Sequence, residues 1–291
     1  LGKRARHRGK TTRAQGGRGT GRREEMCAAS ELRVEGDGAV RTLVINRPEK
    51  RNRLTSACLE AVTQAMEALT GEEEVRAVVI RGAGDKAFCA GYDISALPVG
   101  PSPETEAALE ETPPLERSMR AIRAFPFPVI AMLNGDAFGG GCELAIGCDI
   151  RVAARRVKMG MPPAKLGLVY PYTGYQRFLQ VLGLSRCLEI FLTGRVYDSE
   201  DCLRMGLVNH VVADEALEPF TYQLAEEMAE NAPLSLKGTK KALYSMAGPS
   251  NLSVEEEARL RRLFIESLKS EDMAEGRRAF LEKRRPRFKG R

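Results

Sequence analysis

Two apolar runs, EVRAVVIRG and FPVIAMLNG, each break off at a glycine, Gly82 and Gly135, that opens a glycine-bearing loop. Runs this short, rich in Val and Ile and bounded by turn residues, read as buried strands. The stretch SACLEAVTQAMEAL, capped by Thr55, has apolar spacing near 3.6 and reads as a helix. Strand, glycine loop, helix, and the same again, is α/β organisation. Ligands in such sheets gather beyond the carboxyl ends of the strands, which is where both loops lie.

The second loop is GDAFGGGCELAIGCD, residues 135–149. Glycine costs backbone entropy, and packing alone does not ask for three in a row. Three readings stand side by side. The glycines serve tight helix–strand packing, with Glu143 complementing the first-turn dipole. They cradle a phosphate, although no Lys or Ser/Thr follows and Glu143 would repel an anion. Or bare N–H groups at a helix start face a carbonyl oxygen that becomes negative during reaction, with Glu143 as an acid or base beside it. The first loop, RGAGDKA, contains GxGxxA after a strand, but its sequel FCAGYDI is broken by Gly91 where a dinucleotide-binding helix would run. The alternative is that CAGYD brings a second N–H to the same oxygen.

The formal charge of +6 is concentrated at one end. Residues 1–25 hold nine Lys or Arg against Glu24 and Glu25, a net +7, which leaves −1 for the rest. That tail has almost no apolar residue after Leu1 and reads as a disordered basic extension, with Met26 as the expected natural start. A nucleic-acid footprint would have to lie in the tail, so nucleic acid is not an expected partner of the body. No apolar run is long enough to cross a membrane. Seven scattered cysteines without CxxC spacing argue against disulfides or a metal knuckle and for a reducing cytoplasm. His210, in LVNHVV, is the one histidine outside the tail and reads as a strand residue.

Around these motifs, Arg33 to Ile45 reads as a hairpin turning at Gly36-Asp37-Gly38. Residues 101–123 are acidic and proline-broken, a surface helix or lid. After Val212 only helices follow. Leu217, Phe220, Leu224 and Met228 form one apolar stripe, and Leu260, Leu263, Phe264 and Leu268 another. The expected organisation is an extension over 1–25, a core over 26–212 and a helical region over 213–291 that packs on the core or on a partner subunit.

AFCAGYDI and NGDAFGGGCELAIGCDIRVAA together resemble the enoyl-CoA hydratase/isomerase superfamily, the crotonase fold. TLVINRPEKRNRL, LTGRVYDSEDCLRMGLVNHVV and SEDMAEGRRAFLEKRRPRFKGR extend the likeness over most of the body. The resemblance implies a spiral of ββα units, a C-terminal helical region that builds homotrimers or dimers of trimers, and an acyl-coenzyme A thioester as substrate. It implies no permanently bound cofactor and no metal. Carried over by position, the amides of Tyr92 and Gly140 form the oxyanion hole. Arg51, Ala90, Asp93, Ile94, Phe280 and Lys283 contact coenzyme A, the last two often from a neighbouring subunit. Glu143 matches the first catalytic carboxylate of the hydratases.

The second should fall in MGMPPAKLGLVYP, where this chain has Pro163, a residue with no proton to give. Isomerase-type proton transfer by Glu143 alone is therefore the leading expectation. MPPAKLGLVY also resembles methylmalonyl-CoA decarboxylases, in which a tyrosine stands at the place of Tyr170. Other readings are a hydratase with a substitute acid such as Glu104 or Glu116, and an RNA-binding hydratase relative.

Overall fold

The computed structural model describes residues 1–2, 31–93, 100, 112–247 and 253–289. The chain divides into two compact units, Leu1–Ser30 and Glu31–Arg291. The first is described only at Leu1 and Gly2, so the reading of the basic tail lies outside the described residues.

Within Glu31–Arg291 the hairpin forms as its turn residues demand. β1 (Leu32–Glu35) pairs antiparallel with β2 (Val40–Ile45), and Gly36 and Gly38 both take positive φ between them. Thr55 accepts from Cys58 N and starts α1 (Ser56–Thr70). Parallel pairing then adds β3 (Ala77–Gly82), β5 (Val129–Leu133), β7 (Ile150–Ala154) and β10 (His210–Val212), giving one sheet ordered β1-β2-β3-β5-β7-β10. β3 and β5 are buried almost throughout, which is why their sequences run apolar rather than alternating.

The chain leaves each of these strands for a second sheet that the expected strand–loop–helix order omits. Four three-residue strands build it: β4 (Ala87–Cys89), β6 (Asp136–Phe138), β8 (Lys158–Gly160) and β9 (Val196–Asp198). A helix follows at once after β6, α3 (Gly140–Gly147), and after β9, over Ser199–Met205. Alternation between a long sheet and a short one brings both glycine loops to one place, because β4 pairs directly with β6. Two asparagines fix that junction. Asn134 accepts from Gly82 N at 3.0 Å and donates to Gly82 O at 2.9 Å, while Asn52 donates to the carbonyls of Ala83 and Ala87.

α2 (Pro114–Ala124) packs on α1. α4 (Tyr172–Thr193) is interrupted at Gly183, whose φ of 70° and ψ of 170° are non-helical. α5 (Ser199–Met205) leads into β10, where His210 rests against Phe220 as an ordinary strand residue. The remaining elements are helical: α6 (Leu217–Ala229), α7 (Pro233–Met246), α8 (Val254–Lys269) and α9 (Glu271–Leu281). The Leu217, Phe220, Leu224, Met228 stripe packs α6 onto the long sheet. Leu268 and Phe264 join Met273 and Leu166 in a second apolar cluster that docks α9 on the turn Pro163–Leu166. Leu263 is exposed. Among the described residues no helix is long and apolar enough to cross a membrane.

Candidate active site

The two glycine loops meet backbone to backbone. Leu54 N donates to Gly91 O at 2.9 Å and Asp93 N to Leu54 O at 3.3 Å, so the residues flanking Tyr92 make the bridge. In a parallel pairing of this kind the amide of the residue between them points the other way. Residues 138–140 lie against Gly91. A side-chain carbon on Gly91 would stand 2.7 Å from Phe138 O and 3.3 Å from Gly140 N, and the φ of Gly91 is +88°. The Tyr92 ring lies over Gly140, and the Tyr92 hydroxyl accepts from Leu115 N at 3.3 Å. Among the described residues, neither Tyr92 N nor Gly140 N donates to a protein acceptor. As the first residue of α3, Gly140 has an N–H that the helix itself cannot satisfy.

The three glycines have three different causes. Gly139 turns the chain at φ 53° and donates to Gly160 O at 3.0 Å. Gly140 lets the Tyr92 ring approach. Gly141 packs so tightly on Cys89 that a side-chain carbon there would overlap its carbonyl. The packing reading of the sequence thus accounts for Gly141 and, through the Tyr92 ring, for the absence of a side chain at Gly140.

One turn into α3, Glu143 is only 3% exposed. Its Oε2 accepts from the Tyr170 hydroxyl at 2.5 Å and its Oε1 from Arg177 Nη1 at 2.7 Å. Burial pushes the Glu143 carboxyl above the usual range, although Arg177 and Tyr170 pull against it. Burial, then the Glu143 charge, hold the Tyr170 phenol protonated far above its ordinary value. The Tyr170 ring is backed by Phe191 and Tyr175, and Gly174 makes room for it. Arg177 also binds Glu116, which takes Arg120 Nε at 3.0 Å. Burial favours neutral Glu116, but Arg177, with Arg120 and Thr173, outweighs it and holds the carboxyl below its ordinary value. An ionised Glu116 has no proton to offer. Pro163 is buried at the start of its turn.

The structure therefore gathers Tyr92, Gly140, Glu143 and Tyr170. It also joins two residues of the expected coenzyme A set, because Ala90 N donates to Arg51 O at 3.0 Å. Asp93 faces Arg53 at 3.6 Å. Ile94 and Glu104 lie outside the described residues. Phe280, 51% exposed, and Lys283 stand at the end of α9, whose contacts are with α8 and the 163–166 turn. Two open clefts, of about 680 and 1010 Å³, are lined by none of Tyr92, Gly140, Glu143 and Tyr170. Sequence reasoning missed Arg177. Its signal was available, since a carboxylate buried in an apolar helix needs a cation, and Arg177 interrupts the largely apolar run GYQRFLQVL.

Comparison with known proteins bears on the family. The sequence profile of the enoyl-CoA hydratase/isomerase family matches residues 35–291. The short-chain-enoyl-CoA hydratase of Clostridium acetobutylicum is 33% identical over 264 residues, covering 87% of this chain and 95% of that one. The methylmalonyl-CoA decarboxylase of Escherichia coli is 32% identical over 252 residues, covering 86% and 95%. A solved methylmalonyl-CoA decarboxylase in complex with 2-nitronate-propionyl-CoA superposes with a TM-score of 0.82 at 32% identity, covering 89% of this chain and 98% of the other. Two alternating sheets, paired glycine loops and a buried glutamate one turn into a helix are thus found in a chain whose relatives act on acyl-CoA thioesters, and the protein belongs to the enoyl-CoA hydratase/isomerase family.

Proposed function

We propose that the protein forms an enolate from an acyl-CoA thioester and that its reaction is decarboxylation of a 2-carboxyacyl-CoA of the methylmalonyl type. Tyr92 N and Gly140 N are the donors to the thioester oxygen, and loss of one such donor costs about 2.7–4 kcal/mol of barrier. Arg51 and Ala90 hold the nucleotide end of coenzyme A; Phe280 and Lys283 reach it from a neighbouring subunit of a trimer.

The observation that carries the choice of reaction is the Tyr170–Glu143 hydrogen bond. Hydration needs a second acid, and Pro163 and ionised Glu116 supply none. A lone carboxylate shuttling a proton must be a strong base, and the hydrogen bonds that Tyr170 and Arg177 donate to Glu143 work against that. Decarboxylation needs neither. The electrons of the breaking C–C bond move into the thioester, whose oxygen gains the charge beneath the two amides, and carbon dioxide leaves. Tyr170 orients the leaving carboxylate, and the enolate carbon then takes a proton from water. A second reading, isomerisation of an enoyl-CoA by Glu143, is favoured by the raised pKa of that carboxyl, which makes it a stronger base.

Incubation with methylmalonyl-, 3-enoyl- and crotonyl-CoA, followed by mass analysis, tests this. Propionyl-CoA is expected from the first, and Tyr170→Phe should lower that rate at least tenfold, about 1.4 kcal/mol. A shifted double bond in the 3-enoyl product without loss of carbon dioxide from the first substrate selects the second reading. Failure to turn over any of the three overturns both.

A further inference from the structure

The first turn of α2 touches the site at two points. Leu115 N donates to the Tyr92 hydroxyl at 3.3 Å. The next residue, Glu116, pairs through Oε2 with Arg177 Nη2, and the other arm of the same guanidinium holds Glu143 Oε1 at 2.7 Å. The Glu116 and Arg177 side chains are 11% and 17% exposed, so this is a largely desolvated ion chain rather than a surface pair. A planar guanidinium shared between two carboxylates fixes both in orientation, which an ammonium would not do.

We propose that Glu116 and Arg177 are positioning residues, a strut from α2 that holds Glu143 by Oε1 so that Oε2 is presented to Tyr170, while the same helical turn steadies the Tyr92 ring over Gly140. The proposal rests on the reading of Glu143 as a working group of the site. The charged and titratable groups facing Glu143 are Arg177 and Tyr170 from the 170–177 segment, Glu116 from α2, Tyr92 from the first glycine loop and, on its own helix, Cys142. Those facing Glu116 are Arg177 and Arg120, with the Thr173 hydroxyl.

Charge makes the two residues act in opposite directions. Arg177→Met removes the cation that favours ionised Glu143, so the carboxyl should titrate higher. Glu116→Gln removes a repelling carboxylate and releases Arg177 wholly to Glu143, so it should titrate lower. Each change should move the midpoint by about one pH unit or more. The full chain, labelled with carboxyl-¹³C glutamate, is titrated by NMR, and the Glu143 signal is identified by its loss in Glu143→Gln. Opposite movements, with Arg177→Lys restoring the charge and so the Glu143 midpoint but not kcat, support the strut. No movement, or movement in one direction for both variants, overturns it. Should Arg177→Met fail to fold, Glu116→Gln decides alone. In turnover, both variants should lower kcat at least tenfold with KM unchanged, the pattern of a lost transition-state arrangement. Absence of any thioester turnover sinks the proposed reaction and leaves the titration to judge the strut. Turnover with an unmoved Glu143 sinks the strut alone.

Discussion

Replacing Gly174 with alanine separates the chemistry from the stability of the fold. A methyl carbon there would lie 2.5 Å from Cε1 and 2.8 Å from Cδ1 of Tyr170, and 3.2 Å from Glu143 Oε1. Carbon atoms rest at about 3.5–4.0 Å, so the ring must retreat by about 1–1.5 Å. Phe191 and Tyr175 stand behind it, with ring centroids 5.7 and 6.1 Å away, and the displacement is therefore taken up as tilt that withdraws the hydroxyl from Glu143. Misplacement of about 1 Å costs on the order of 100-fold in rate. The stability cost is smaller. Overpacking takes about 1–3 kcal/mol, and alanine returns about 0.5–1 kcal/mol in a helix. The net loss is about 0–2.5 kcal/mol, a fall in Tm of no more than about 10 °C at this size. Initial rates on the thioester that wild type turns over, beside a thermal melt, measure both. A rate within about threefold of wild type would refute the claim that the Tyr170–Glu143 geometry matters.

Gly141→Ala should fail differently, because the new carbon meets backbone, with Cys89 C at 2.7 Å. A loss of about 3 kcal/mol or more is expected, read from the guanidinium midpoint; a midpoint unchanged from wild type would contradict the packing described for that residue. The six described cysteines are buried, and burial pushes Cys89 and Cys148 up to about 12. Their thiols should react slowly with Ellman's reagent at pH 8 in the native protein and all seven promptly in guanidinium. Because the folded values are raised, the stability linked to these thiols is fully present below the ordinary thiol pKa and lost as pH climbs toward 12, so alkaline unfolding should accompany their release.

β3 and β5 were legible because they are apolar runs that break off at a glycine, the hairpin because of its turn residues, and α1 because Thr55 and its spacing declare it. The short sheet was not. Its strands have three residues each, too few to show a period, and their partners are set by pairings such as Ala87 with Asp136 that no local signal encodes. At the site, Gly140 and Glu143 announce themselves through an unusual composition. Tyr92 and Tyr170 needed the likeness to a family. Gly174 could be read from neither, because it makes room for a ring whose packing is seen only in three dimensions, while Arg177, a cation in an apolar run, gave a signal that did not name its partner.

The break at Gly183 has a consequence for how this protein can change. A side-chain carbon there would meet nothing within 4 Å, so the residue is kept for its dihedral angles and for nothing it touches. Before it stand Arg177 and Phe178; after it Leu184, Leu188 and Leu192 face outward. With the helical backbone broken between them, the two halves stay joined through side chains, because Phe191 of the outer half packs on Tyr170, Tyr175 and Phe178. A push on the outward leucines therefore reaches Tyr170 and Glu143 through stacked rings and not along the peptide rail.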